Sequence, residues 1–589
     1  MVTIVHISPL TTGFLSIVRR YTPGKTKYVT ASCNCKSVIR SSAGISVSPE
    51  PIVRRSGNYQ PCIWDNKFLQ SLKIDYAAEN SKVRASELTE IVEFKLKNVV
   101  DPLDQLELID QLHKLGVAYH FQDEIERNLK KIHGNNEKWD QNLHATALRF
   151  RLLRGHGYDV SQEDFKVFTE NGRFKECLGG DVKGILSLYE ASYYSVEGES
   201  LMEEACSFTT KILKERVNNI DASDLCMQVK HALELPVQWR IPRFEARWYM
   251  NLYKTSDNKI PEVLKLAELD FNIVQGLNQE ELKELSRWWD RTRPGNKLEF
   301  ARDRLAASFL WAVGITSLPQ HGYCRLQITK AIQIISVIDD VYDVYGTLEE
   351  LELFTKVIER WDITAMEELP DYMQICFLAL YNSIHEMAYD ILKDKNLNVL
   401  GPLSRTIINL LKHYLVEARW YHSGHKPTLE EYLNNASTTI SGPVMAIQTY
   451  ICTSNPINEE AMKYIEEIPD IVRLASEIFR LADDYGTSSD ELARGDVPKS
   501  IQCYMNDTGV SEEVARKHMK LLMKRKWAKL IQCRYSKDYP LSWSFVEIIL
   551  NLVRTSHCVY NAGNDGFGVE DEEALYQLFI EPIHLQDIN

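Results

Sequence analysis

Beyond about residue 65, apolar side chains recur at three- and four-residue spacing along almost the whole chain, the period of helices that bury one face. The stretches 87–96 and 104–112 carry it clearly. Asp101-Pro102 predicts a helix start: an acidic cap, then proline in the first turn, where its missing N–H costs nothing. Runs of alternating β-branched residues, the mark of strands, are rare. Glycine and proline interrupt the pattern at 155–157, 179–180, 294–295 and 442–443. There is no fixed-period repeat. The pattern predicts an all-α fold, and 589 residues are too many for one core, so two helical domains are expected.

Two of the helix-like segments end in acids. The apolar run 333–338 leads into Asp339, Asp340 and Asp343. Asp339 and Asp343, four apart, share a helix face, while Asp340 points about 100° away and suits a supporting role behind them. Uncompensated buried carboxylates are expensive, so such a helix end demands cations. The second cluster, Asp483, Thr487 and Glu491, repeats the spacing of four. Carboxylate, hydroxyl and carboxylate make a hard-oxygen chelate suited to Mg²⁺ or Mn²⁺ and not to zinc. Each cluster alone also reads as a solvated acidic helix end. Two facing helices that carry both can grip a substrate diphosphate through divalent cations.

Basic and aromatic residues add to that picture. Arg480 lies one turn before Asp483 and reaches a phosphate oxygen, or else pairs with Asp484 or Glu477 at the surface. Arg302-Asp303-Arg304 sets two guanidiniums around an acid that can hold them, and the planar guanidinium fork suits phosphate. Lys499, after 495–498, is a further diphosphate contact. Trp311 follows the arginine pair by two helical turns, and Tyr560 precedes the glycine-rich stretch 563–568. An aromatic face can stabilise a carbocation, although core packing is the commoner role of any one ring.

Composition excludes several classes of function. A formal charge of −14 and a pI near 5.6 argue against a nucleic-acid partner. The longest apolar stretch, 306–318, is short of the ~18–20 residues that span a bilayer. Residues 1–49 contain no Asp or Glu, are rich in Ser and Thr, and carry Arg19, Arg20, Lys25, Lys27, Lys36 and Arg40, the composition of an organelle import peptide. The 12 cysteines have no zinc-site spacing and read as small core residues in a reducing compartment. Sequons at Asn435 and Asn506 have no use inside an organelle.

Taken together in order, Arg54-Arg55 followed by Trp64, Arg302-Asp303-Arg304, Asp339–Asp343, and Asp483/Thr487/Glu491 resemble the plant terpene synthases, and among them the angiosperm monoterpene synthases. Glu245-Ala246-Arg247, 285–289 and 495–500 also look like the family. The resemblance covers nearly the whole chain after the leader. It implies a plastid transit peptide at 1–53, an N-terminal helical domain at 54–268 like a double α-barrel, and a C-terminal class I terpenoid synthase bundle at 269–589. The acid motif Asp-x-Asp-Asp of class II relatives is absent, so the N-terminal domain is expected to be catalytically silent. Asp339 and Asp343 are expected to bind two ions of Mg²⁺ or Mn²⁺, and Asp483, Thr487 and Glu491 a third. Arg302, Arg304, Arg480 and Lys499 would hold the diphosphate, and Trp311 and Tyr560 would face the cation. Arg54 and Arg55 would serve isomerisation and cyclisation of geranyl diphosphate, or act only as a salt-bridging strap. Closure would involve the N-terminal segment and the loops after 490 and near 563. The leader and these arginines favour a C10 enzyme of the plastid (chloroplast stroma), as monomer or homodimer, making a cyclic product.

Alternatives stay open on the sequence. An acyclic alcohol synthase (linalool or geraniol), a sesquiterpene synthase and a catalytically dead prenyl-diphosphate binder share much of this pattern. A chain-elongating prenyltransferase typically carries two Asp-Asp-x-x-Asp motifs, whereas the second motif here is Asp/Thr/Glu. Tyr485, Thr438, Thr439 and Ser437 depart from the residues common in relatives and are expected near the pocket wall, the last three just before the break at Gly442-Pro443.

Overall fold

The computed structural model describes residues 54–57, 59, 64–73, 79–134, 142–217, 224–293, 298–493, 497–535, 540–560 and 572–585, and these are helical almost throughout. The expected import peptide at 1–53 and the loops at 494–496 and 561–571 lie outside the described residues, as do the side chains at 489–493. The chain from Arg54 to Asn589 forms one compact unit.

The N-terminal half is built of helices such as Pro102–Lys114, Leu143–Gly155, Val182–Ser192 and Ser200–Arg216. Asp101 caps the first of these as its sequence predicts, accepting hydrogen bonds from the amides of Leu103 at 2.9 Å and Asp104 at 3.0 Å. Buried charge ties this half together: Arg154 grips both carboxylate oxygens of Glu199, at 2.6 and 2.5 Å. One small hairpin, Thr169–Glu170 against Arg173–Phe174, departs from the all-helical expectation. Its turn is Asn171-Gly172, both with positive φ, which is the sequence signal for such a turn.

The helix Pro261–Thr292 runs unbroken through Glu268 and packs on both Glu79–Asn98 and Gly322–Asp340, so the position expected to divide the domains lies inside one rigid element. Beyond it, Leu305–Ile315, Gly322–Asp340, Leu400–Ser423, Gly442–Thr453, Asp470–Ala493 and Trp543–Tyr560 pack around a shared interior. The apolar stretch from 306 is explained by Leu305–Ile315, every residue of which is buried. Among the described residues, no helix is long and apolar enough to cross a membrane.

The break at Gly442-Pro443 has a close-packing cause. A Cβ on Gly442 would lie 2.1 Å from Ser476 Oγ, so only glycine lets this helix start approach Asp470–Ala493. The preceding Ser441 takes the left-handed conformation, φ 64°, and separates Leu429–Thr439 from Gly442–Thr453.

Candidate active site

The two acidic clusters open onto one cavity. It is lined by Asp339 and Asp343 on one side, Asp483 and Thr487 on the other, and Arg302, Arg480 and Lys499 between them. The space measures about 940 Å³, part of it open to solvent. The same lining includes the apolar side chains of Trp311, Ile315, Ile332, Ile335, Met445, Phe479, Leu552 and Tyr560. Trp311, Phe479 and Tyr560 form an aromatic cluster, with centroid separations of 4.8, 5.8 and 6.3 Å.

The first acidic wall is not a plain helix end. Gly322–Asp340 gives way to one π turn, Val341–Tyr345, closed by the amide of Gly346 on the carbonyl of Val341 at 2.8 Å. Asp339 thus leaves from the last α turn and Asp343 from the π turn. Asp340, fully buried, does not line the cavity. Its Oδ2 accepts the amide of Arg302 at 2.7 Å, and its Oδ1 accepts the Tyr59 hydroxyl at 2.8 Å and lies 3.0 Å from Arg302 Nε. Burial pushes the Asp340 carboxyl above the usual carboxylate range, against the pull of Arg302. Arg302 also donates from Nη2 to Asp339 at 2.7 Å, so one guanidinium holds both aspartates.

The second wall is arranged alike. Asp484, fully buried, accepts the Ser500 amide at 2.9 Å and the Tyr432 hydroxyl at 3.0 Å, and lies 3.5 Å from Arg480. In both Asp-Asp pairs the first carboxylate lines the cavity. The second is held by a backbone amide, a tyrosine and an arginine. Arg480 is buried, and its Nη1 donates to Asp483 at 2.6 Å. Thr487 donates its hydroxyl to the Asp483 carbonyl at 3.0 Å, which spends its one proton on the helix and leaves the oxygen an acceptor toward the cavity.

Some expected residues stand elsewhere. Arg304 does not line the cavity; its Nη1 reaches the Asp303 carbonyl at 3.2 Å. Asp303 does not brace the two arginines, because its carboxylate accepts Trp289 Nε1 at 2.9 Å and pairs with Arg293. Glu477 pairs with Lys526 and Arg473 rather than Arg480. Of the four departures, only Thr439 lines the cavity: Thr438 is buried elsewhere, Ser437 is half-buried, and Tyr485 packs beneath Arg516 and Lys520. The Glu491 side chain lies outside the described residues, although its backbone continues the Asp470–Ala493 helix.

Arg54 and Arg55 do not line the cavity either. Arg54 grips Glu350 at 2.8 and 2.9 Å and donates to the Tyr345 carbonyl at 2.9 Å. Arg55 donates to the Asp343 carbonyl and stacks over Tyr421. With Tyr59, they attach the N-terminal segment to residues 340–350. Sequence reasoning missed Tyr59, Phe479, Tyr414 and Glu417, the last three of which line the cavity. Phe479 sits next to Arg480 and was legible as an aromatic on the metal-motif helix, whereas Tyr59, Tyr414 and Glu417 carry no local signal.

The residues fit divalent cations. Mg²⁺ typically takes one or two carboxylates and completes its shell with water and substrate phosphates. The two walls provide hard oxygens in that sparse manner, and among the described residues no three acids form a closed metal cage.

Comparison with known proteins agrees with this geometry. Residues 63–233 match the model of the terpene synthase N-terminal domain, and residues 291–529 that of the terpene synthase family metal-binding domain. A chloroplastic myrcene synthase of Quercus ilex is 50% identical over 549 residues, 92% of either chain. A limonene synthase solved with 2-fluorolinalyl diphosphate superposes with a TM-score of 0.88 at 44% identity, covering 90% of this chain and 100% of that one. Isoprene synthase from grey poplar (Populus x canescens), solved with three Mg²⁺ ions and dimethylallyl-S-thiolodiphosphate, gives a TM-score of 0.82 at 41% identity over 88% and 99%. An all-α chain with both family domains, near relatives along nearly its full length and two oxygen-bearing walls on one cavity belongs to the terpene synthase family.

Proposed function

We propose that this enzyme is a monoterpene synthase that converts geranyl diphosphate into a C10 hydrocarbon or alcohol and inorganic diphosphate, in the plastid stroma. The observation that carries this reading is one cavity whose lining combines hard oxygens and basic groups (Asp339, Asp343, Asp483, Thr487, Arg302, Arg480, Lys499) with aromatic and aliphatic side chains. Relatives named for myrcene and limonene synthesis support the C10 substrate, and the relative named chloroplastic supports the plastid.

Asp339 and Asp343 would hold two of three Mg²⁺ or Mn²⁺ ions, and Asp483, Thr487 and Glu491 the third, in line with the three Mg²⁺ ions of the isoprene synthase complex. Bound there, such ions would supply the charge that neutralises the diphosphate as it leaves. Arg302, Arg480 and Lys499 add positive charge around the same oxygens. The C1–O bond of the substrate breaks heterolytically: the electron pair leaves with diphosphate and an allylic cation stays behind. The faces of Trp311, Phe479 and Tyr560 stabilise that cation by about 2 kcal/mol when desolvated. The aliphatic wall excludes water while the cation isomerises and closes to the cyclic product that the tandem arginines favour. Loss of a proton, or capture of water, ends the reaction. Arg54 and Arg55 contribute by holding the Asp343 and Tyr345 carbonyls, at the end of the metal-bearing turn, and not by touching the cation.

Incubation of protein lacking residues 1–53 with geranyl diphosphate and Mg²⁺ or Mn²⁺, with volatile products separated by gas chromatography, tests the proposal. C10 products are expected. Longer prenyl diphosphates in a parallel incubation with added isopentenyl diphosphate would mean chain elongation, and no conversion in either would mean a binder.

A further inference from the structure

One acid on the cavity wall belongs to neither metal motif. Glu417, from Leu400–Ser423, lines the cavity yet is 7% exposed. Its Oε1 accepts two hydrogen bonds from Leu429–Thr439: Asn435 Nδ2 at 3.0 Å and Thr439 Oγ1 at 2.7 Å. Thr439 Oγ1 in turn accepts Arg480 Nη2 at 3.3 Å. Arg480 Nε points to the Ala436 carbonyl at 3.4 Å, and its Nη1 to Asp483 at 2.6 Å. Carboxylate, hydroxyl, guanidinium and carboxylate therefore form one chain across three helices, and all four line the cavity.

The direction of the chain follows from proton counting. Threonine has one proton to donate. Its distance to Glu417 is 2.7 Å, against 3.4 Å to its other acceptor, the Ala436 carbonyl, so the proton goes to the carboxylate. The hydroxyl oxygen is then left as an acceptor aimed at Arg480, strengthened by the anion behind it. Without that anion the hydroxyl is free to turn its proton away, and Nη2 loses a fixed acceptor. A guanidinium held at Nε, Nη1 and Nη2 keeps its plane before any substrate arrives, and such preorganisation is what diphosphate binding needs.

We propose that Glu417 and Thr439 are positioning residues that set the Arg480 guanidinium for the diphosphate group, so that the acid on the third helix tunes substrate capture without touching the metals. The inference rests on the diphosphate-binding reading of the cavity. It predicts that Glu417→Gln and Thr439→Val weaken the binding of inorganic diphosphate in the presence of Mg²⁺ about tenfold, measured by titration calorimetry. KM for geranyl diphosphate rises by a similar factor. Thr439→Ser, which keeps the hydroxyl, restores both. The melting temperature of each variant is measured first, and Thr439→Val, close in volume, serves if Glu417→Gln does not fold. In an Arg480→Lys background, which lacks Nη2, Thr439→Val should cost little further. Wild-type diphosphate affinity and KM in Thr439→Val would overturn the inference. So would a changed product ratio at unchanged affinity, which would mean the wall acts on the cation. The diphosphate-binding reading would fail separately, by wild-type protein not binding Mg²⁺–diphosphate at all.

Discussion

Tyr59→Phe removes a single oxygen and isolates what the N-terminal segment does for the turn that carries Asp339 and Asp343. The Tyr59 hydroxyl donates to Asp340 Oδ1 at 2.8 Å, and Asp340 is wholly buried. Burial holds the phenol in its protonated, donating form. A hydrogen bond to a charged group contributes about 1.5–3 kcal/mol. The lower end applies here, because the amide and guanidinium of Arg302 still serve Asp340 after the change. About 1.5 kcal/mol is roughly a tenfold shift in an equilibrium. That equilibrium is docking of the segment, since Tyr59 lies on the segment and not in the helical core. kcat/KM for geranyl diphosphate should therefore fall up to tenfold, while the thermal midpoint barely moves. Limited proteolysis should cut within 54–63 sooner than in the wild type. Unchanged kcat/KM and unchanged proteolysis would refute the idea that this contact holds the segment to the Asp339–Asp343 wall. A large loss of thermal stability would assign Tyr59 to the core instead.

Two further outcomes follow from the same geometry. Asp339→Ala should abolish turnover while circular dichroism stays that of the wild type, because Arg302 keeps Asp340 as a partner; retained turnover would remove Asp339 from the metal set. His557, buried beside Trp239 and Trp527, accepts Trp527 Nε1 at 2.7 Å, and burial lowers its pKa to about 3. The unfolded chain binds this proton below pH ~6.5 and the folded one does not, so stability falls as pH drops from 6.5 toward 3, by about 2 kcal/mol at pH 5. His557→Gln, uncharged but still an acceptor, should flatten the fall in thermal midpoint between pH 7 and 5, and an identical slope would contradict the assignment.

How far the sequence reached can be seen residue by residue. Spacing of three and four is a local property, so the helices, the cap at Asp101 and the break at Gly442-Pro443 were legible. So was the grouping of Asp483 with Thr487, which share one helix, and of Asp339 with Asp343, which stay neighbours across the passage from α-helix to π turn. Long-range partners were not legible. Nothing near Asp303 says that its carboxylate turns to Trp289 and Arg293, which leaves Arg304 outside the cavity. Asp484 read only as a surface partner for Arg480, and it is buried and holds the start of Ser500–Thr508. The π turn after Asp340 also escaped, because an i→i+5 closure has no propensity signature in the side chains. The tandem arginines read from family likeness as agents of cyclisation. Their bonds to Glu350 and to the carbonyls of Asp343 and Tyr345 tie the N-terminal segment to the turn after Asp340, contacts that no local pattern in the sequence announces. The boundary at 268 came from family likeness, and the helix Pro261–Thr292 runs on through it; helical periodicity alone does not report where one packed core ends.

The central claim is that both oxygen-bearing walls bind one set of cations around a diphosphate. Anomalous diffraction from crystals grown with Mn²⁺ and inorganic diphosphate tests it most directly. The account predicts manganese peaks beside Asp339 and Asp343 and a separate peak beside Asp483 and Thr487, all bridged by the same diphosphate. Manganese at one wall only, or diphosphate bound away from both, would contradict it.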